Sequence, residues 1–293
     1  LPALPHAVTL FMQRSTDEST SLDDLAKILE TDASLTIELL RYVNSSFLGL
    51  RQKAKTVHQA LSLLGRRRSR TLVFATGTEA ALRSRKSKLI NQTAFWNACL
   101  QEALFAREVA TLLKTDVEVA FAGGLLQDFL LPVLTNDLLD GYLDFVQSRS
   151  KYPETLCEFE QQQFGWDHAL AGACLAHCWN LPDDLVCCIL YQHSGVRILA
   201  HAQLGRTAVA AVALSALLPD QLRQHCHGLG LLRKLETKWP AFQLERLAQS
   251  VDEQHKSMSV GVHNDFPLSR RLQCQADAPE AYLDGTLRPV SVA

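Results

Sequence analysis

Several things are missing from this sequence, and each absence narrows what it can be. The longest apolar runs, such as Thr207 to Leu218, fall short of the roughly 18 to 20 residues a membrane span requires, and no charged-then-apolar leader opens the chain. No membrane association is expected, and a cytoplasmic location is the default. A strong excess of one charge is also missing: the formal net charge of −2 makes no overall case for nucleic acid. There is no G-x-S-x-G, no P-loop and no Gly-rich dinucleotide turn, so the chemistries built on those turns lose their usual support. Strand alternation of convincing length is absent. The eight cysteines are scattered, with Cys187 and Cys188 adjacent, which is not the pattern of a secreted disulfide framework.

What is present reads as helix. With 47% hydrophobic and 20% charged residues over 293 positions, the chain can form one large globular domain or two small ones. Ser21 with Asp24, then Asp32 or Ser34, then Thr56, are placed as N-caps before apolar residues at helical spacing, and Gly65 is placed as a stop. Phe95 to Leu113 carries a broad apolar face, Asp116 caps the next helix, and Asp167-His168 opens another with Leu170, Cys174, Leu175 and Cys178 inward. Ile198 to Leu218 reads as one long Ala-rich helix. Pro240 interrupts the amphipathic stretch Leu222 to Gln254. The fold class expected is all-α: an N-terminal helical subdomain at residues 1–85, a helical core at 86–215, a helical extension at 216–256 and an irregular tail at 257–293.

At the centre lies Ala120 to Leu131, nearly all apolar but for Gln127 and Asp128. A buried carboxylate costs several kcal/mol unless it is paired, hydrogen-bonded or metal-bound, so Asp128 needs a structural or chemical reason. Phe121-Ala122-Gly123-Gly124-Leu125-Leu126-x-Asp128 is one of a series of motifs. Before it come Leu-Pro-x-Leu-Pro at the start, Asp32-Ala33-Ser34-Leu35-Thr36, Asn44-Ser45-x-Phe47-x-Gly49 and Phe95-Trp96. After it come Phe164-Gly165-Trp166-Asp167-His168 and Trp179-x-Leu181-Pro182.

In this order, over about residues 1 to 195, the motifs resemble the HDOD domain, a bacterial signalling relative of the HD superfamily of metal-dependent phosphohydrolases. The resemblance implies an HD-like core and a signalling role. It also implies where metal ligands would fall. The early His falls near Ala98, the His of the His-Asp pair on Gln127, and a late carboxylate expected on Ile198 to Leu218 is missing. Asp128, His168 and His193 remain. Hydrolysis of phosphate esters needs several deprotonatable ligands around one or two cations, so these five positions read as remnants of a site. No catalytic residue, metal or cofactor is expected.

Cys174, His177, Cys178, Cys187 and Cys188 offer zinc-type donors without a recognised zinc spacing, and packing is the preferred role. Between Arg51 and Lys88 lie eleven Lys or Arg against the single acid Glu79, whereas Asp116 to Glu160 holds nine acids against Arg149 and Lys151. Arg66, Arg67, Arg68 and Arg70 are therefore read as a surface for an acidic signalling protein rather than for nucleic acid. The function expected is a non-catalytic regulatory or scaffold protein in signal transduction. Its rival is a metal-dependent phosphohydrolase with a reduced ligand set.

Overall fold

The computed structural model describes residues 4–44, 53–83, 87–148, 155–258 and 266–274. Helices account for every regular element among them, and no strand occurs. The expected caps are in place: Ser21 Oγ accepts from the Asp24 amide, Asp32 Oδ1 from Ser34 and Leu35, Asp116 Oδ1 from Glu118 and Val119, and Asp167 Oδ1 from Leu170. Each satisfies amide donors that the first turn of a helix leaves free.

Four helices come first: α1 (His6–Ser15), α2 (Leu22–Glu30), α3 (Ala33–Val43) and α4 (Val57–Arg83). They bury Phe11, Leu25, Leu29, Leu39 and Leu61 among themselves, and α4 also reaches the core. At Gly65 the backbone takes φ 73° and ψ 165°, so α4 is two helical segments meeting at a kink. No atom lies near a Cβ built there, so it is the left-handed φ that selects glycine. The motif Asn44-Ser45-x-Phe47-x-Gly49 lies outside the described residues except for Asn44, whose amide holds both backbone groups of Ala54.

The core is built on α5 (Gln92–Leu113) and α6 (Val117–Leu126), the most extensively packed pair, flanked by α11 (Asp183–Leu190) and α12 (Ala208–Ser215). A Cβ on Gly124 would lie 2.8 Å from the Ala103 Cα, and one on Gly123 would lie 2.7 Å from the Cys188 Cβ. The glycine pair thus lets α6 press backbone against α5 on one side and Cys188 on the other. Beyond α6 the chain turns into α7 (Leu131–Asp137) and α8 (Leu139–Ser148), then continues in α9 (Leu156–Phe164) and α10 (His168–Cys178). The stretch Val117–Asp137 has the length and apolar composition of a membrane span, which the sequence reading overlooked. It is mostly buried and broken by turns at 127–130, as a core segment is.

Three expectations are corrected. Ile198 to Leu218 is not one helix: a 3-10 segment, Gln192–Ala200, is broken at Gly195, turns follow, and only α12 is α-helical. The inward face of α10 is the small-residue one, Ala169, Gly172, Ala173 and Ala176 with Leu175; Leu170, Cys174 and Cys178 are exposed. Small side chains permit the closer approach, so that face is the one covered. The supposed tail contains structure as well. After α13 (Gly228–Lys238) and α14 (Leu244–Met258), a short α15 (Leu268–Cys274) docks with Leu268 and Leu272 fully buried, its first amides held by Asp252.

Candidate functional site

Where α6 ends, its close contact with α5 fixes what Gln127 and Asp128 meet. Gln127 is buried, and its Nε2 donates to Glu102 Oε2 of α5 at 2.8 Å. Its Oε1 accepts from Ser215 Oγ at 3.3 Å, and its backbone carbonyl accepts from Gln192 Nε2 at 2.7 Å. The side chain that replaces the expected imidazole is thus committed at both ends. Ser215, at the end of α12, is the residue that the stretch expected to supply a late carboxylate turns toward it.

Asp128 has one satisfied oxygen. Its Oδ2 accepts from Gln224 Nε2 at 2.8 Å. Its Oδ1 lies 3.3 Å from His168 Nε2, within ion-pair range but without hydrogen-bond geometry, and has no other partner.

From His168 a line of hydrogen-bonding side chains runs in both directions, buried at Glu160 and Tyr142 and half-buried at His193 and His225. Glu160 Oε2 takes the His168 backbone amide at 2.9 Å and meets its Nδ1 at 2.6 Å, while Tyr142 Oη donates to Glu160 Oε1 at 2.5 Å. On the other side His168 Nε2 meets His193 Nε2 at 2.8 Å, and His193 Nδ1 meets His225 Nε2 at 2.8 Å. Burial opposes a charge on His168, yet Cys157 and Glu160 beside the ring raise its pKa well above the usual value. The Cys157 thiol is itself pushed up to about 11 by burial, and the group in hydrogen-bond contact with the ring is Glu160.

His193 is held well below the ordinary histidine range by burial and by the neighbouring His168 and His225; His225 is lowered to about 4, chiefly by burial. With His168 charged, one proton assignment satisfies every link: an imidazolium at His168 donating to Glu160 and to His193 Nε2, and a neutral His193 donating from Nδ1 to His225.

A small pocket opens beside Asp128, lined by Ala98, Glu102, Asp220 and Gln224 among others. Asp220 Oδ1 accepts from the Leu222 amide and Oδ2 from the Gln224 amide, and burial with the nearby Asp128 charge pushes its pKa up to about 6. Burial and Asp128 likewise raise Glu102 well above the carboxylate range, against the opposing charge of Arg271, 3.9 Å away on α15.

These residues do not fit the metal of the HD superfamily. Ala98 offers no donor atom, Gln127 offers an amide already engaged at both ends, and Ile198 to Leu218 turns a hydroxyl, Ser215, rather than a carboxylate toward it. A different donor set does converge: one ligand atom each from Cys157, His168 and His193 lies within 4.8 Å of the others. Thiolate and imidazole suit zinc-like ions, but His168 would first have to give up its proton.

Ala98 and Asp128 share the wall of the small pocket, Gln127 precedes Asp128, and His168 joins Asp128 to His193. The structure adds Glu102, Tyr142, Cys157, Glu160, Gln192, Ser215, Asp220, Gln224 and His225, which sequence reading missed. Of these, Glu102 left a signal: it follows Ala98 by one helical turn and interrupts an apolar face. Cys174, Cys178 and Cys187 take no part in the cluster. The arginines are placed apart, on α4. Arg66 donates to the carbonyls of Asp17 and Thr20, and Arg67 pairs with Asp184 at 3.1 Å and Asp116 at 3.4 Å. Arg70 is half-buried with an unpartnered Nε, and Arg68 is exposed.

The HDOD domain model matches residues 1–195. A protein of Treponema pallidum (strain Nichols) is 23% identical over 198 residues, 66% of this chain, and the chain spans only 38% of that curated relative's length. Among solved structures, an HDOD domain protein from Geobacter sulfurreducens superposes with a TM-score of 0.60 at 19% identity, covering 93% of this chain and 88% of its own. A candidate phosphohydrolase from Shewanella amazonensis SB2B gives 0.62 at 19% identity, with 94% of each chain covered. A candidate signal transduction protein from Marinobacter aquaeolei VT8 gives 0.57 at 21%, covering 88% of this chain and 60% of its own. At such identities the likeness is one of fold, shared by proteins named for different roles. Because the family model spans two thirds of the sequence, including the segment that carries Gln127 and Asp128, this chain belongs to the HDOD domain family.

Proposed function

We propose that this is a non-catalytic regulatory protein of bacterial signal transduction, whose HD-like core serves as a binding scaffold. The observation that carries the reading is Gln127. It occupies the position of the imidazole in the His-Asp pair, and Glu102 and Ser215 hold its amide from both sides. A side chain so held cannot turn to a cation without leaving a buried carboxyl without its partner. Metal-dependent phosphohydrolysis draws its transition-state stabilisation from that cation, so its loss removes the chemistry rather than slowing it.

The test is elemental analysis of the purified protein with phosphodiesterase and nucleotidase assays in added manganese, magnesium and iron. No bound metal and no turnover are expected. Near-stoichiometric metal with turnover that Asp128→Ala abolishes overturns the reading. The second reading, a metal-dependent phosphohydrolase with a shifted ligand set, draws on the Cys157, His168 and His193 cluster and on Asp128 Oδ1, 3.3 Å from His168.

The partner we propose is an acidic signalling protein meeting the α4 surface, with Arg67 and Arg68 its most exposed cations. Arg66 and Arg70 would support that surface rather than touch the partner. Capture from native cells with the wild type and with Arg67→Glu/Arg68→Glu tests this. Salt-sensitive binding of arbitrary duplex DNA, lost in the same variant, argues against it.

A further inference from the structure

Helix α15 is held as a bound peptide is held. Its seven residues make too short a helix to stand alone in water, so its order comes from what receives it. The contacts come from one face. Leu268, Arg271 and Leu272, at i, i+3 and i+4, turn inward, with both leucines fully buried, while Arg270 and Gln273 are exposed. Asp252 of α14 caps the first turn from outside, Oδ1 accepting from the Leu268 amide at 2.6 Å and Oδ2 from the Ser269 amide at 3.0 Å. Gln101 of α5 grips the segment twice: its Nε2 donates to the Phe266 carbonyl at 3.0 Å, and its Oε1 accepts from Arg271 Nη1. A helical peptide of another chain can meet each of these groups in the same way.

The receiving site does not depend on α15 for its walls. Helices α5 and α14 pack directly on each other, and Glu108 of α5 ties them, its Oε1 accepting from Ser250 Oγ at 3.1 Å and from Gln254 Nε2. The resident helix also fills the site imperfectly. Arg271 Nη2 is a buried donor with no hydrogen-bond partner, 3.9 Å from Glu102 Oε1, and a charged donor left so weakens the hold of the helix that carries it. A guanidinium seated nearer Glu102 gains the contact that α15 lacks. Glu102 in turn holds Gln127, so the occupant of the site is felt at the centre of the core.

We propose that the cleft between α5 and α14 is a recognition site for an amphipathic helical segment of a partner protein, with leucines at i and i+4 and an arginine at i+3, and that α15 is its internal occupant, displaced when the partner binds. A helix laid into a groove by anchors at such spacings is a general mode of peptide recognition. This surface is separate from the arginines of α4, and it stands whether or not the core turns over phosphate esters.

The test uses the full chain and, as probe, a fluorescein-labelled peptide with the sequence of residues 266–273, followed by fluorescence anisotropy. Because the resident helix competes, only molecules with the cleft open can bind, and weakening the hold of α15 raises their fraction. Leu272→Ala in the full chain leaves the cleft walls untouched and should bind the peptide about tenfold more tightly than the wild type does. Arg271→Gln in the full chain is a second variant of the same kind and should also bind more tightly. A peptide carrying Arg271→Ala should bind either variant about tenfold more weakly than the unsubstituted peptide. Folding of both variants is checked by circular dichroism. The proposal fails if neither folded variant binds the peptide better than the wild type, or if the Arg271→Ala peptide binds as well as the unsubstituted one. A wild-type chain that runs as a dimer in size-exclusion chromatography, and as a monomer once Leu272→Ala is made, assigns the cleft to α15 of a second copy and overturns the choice of a partner protein.

Discussion

Two half-buried groups of opposite kind sit within five residues of each other, and their protonation pulls stability in opposite directions. His225, with a pKa of about 4 in the folded chain against the ordinary 6.5, is a group the unfolded chain protonates first, so its contribution to stability is lost as pH falls from 6.5 toward 4. Asp220, at about 6 against 3.8, is protonated first in the folded chain, so its contribution grows as pH falls from 6 toward 4. The windows overlap and the two effects oppose. Removing one exposes the other: between pH 6.5 and 4.5, Asp220→Asn should lose about 2 kcal/mol more stability than the wild type does, measured by urea unfolding at both pH values. Gln127→Leu should cost on the order of 2–4 kcal/mol, because it leaves the buried Glu102 without its hydrogen-bond donor, whereas the Ser215 hydroxyl keeps the Val212 carbonyl. Unchanged unfolding of this variant would show that Glu102 finds another donor. Neither Asp220 nor His225 was legible in the sequence as part of the site. Both arrive on a loop whose path depends on where α12 ends, and the end of α12 was misplaced when Ile198 to Leu218 was read as one helix.

At the scale of elements the local signals were strong, because caps and apolar spacing act within one or two turns. Asp116 and Asp167 cap the helices assigned to them, and Pro240 separates α13 from α14 as its missing N–H requires. What failed was the choice of inward face on α10 and the fate of the residues after Lys256. Both are decided by neighbours distant in sequence: small residues let α10 approach more closely than its larger ones do, and α15 is a helix of seven residues that holds only because α14 and α5 receive it. Two measurements follow. Gly124→Ala should cost about 2–3 kcal/mol, since its Cβ would meet the backbone of Ala103 at 2.8 Å and a backbone atom cannot rotate away. Truncation after Met258 should lower stability by about 3–5 kcal/mol through exposure of the sites that bury Leu268 and Leu272. A melting temperature equal to that of the full chain would show α15 to be expendable.

Across the whole molecule, the first four helices meet the core through aromatic rings more than through charge. Tyr42 lies 5.4 Å from Phe121, and Trp179 lies 5.8 Å from both Phe74 of α4 and Phe129 of the turn after α6. The Arg67 pairs bridge the same parts but are 72% exposed, so Arg67→Ala should change stability by less than about 1 kcal/mol, whereas Trp179→Ala should cost about 3 kcal/mol. Comparable losses in the two variants, measured by denaturant unfolding, would reverse that ranking. The line of rings through the core has a consequence of its own. Because Glu160 claims one nitrogen of His168, each ring beyond it inherits its tautomer from the ring before, and none can change alone. His193 and His225 thus share one binary setting, written at the Nε2 proton of His168, and loss of that proton should invert the nitrogen resonances of both rings in concert.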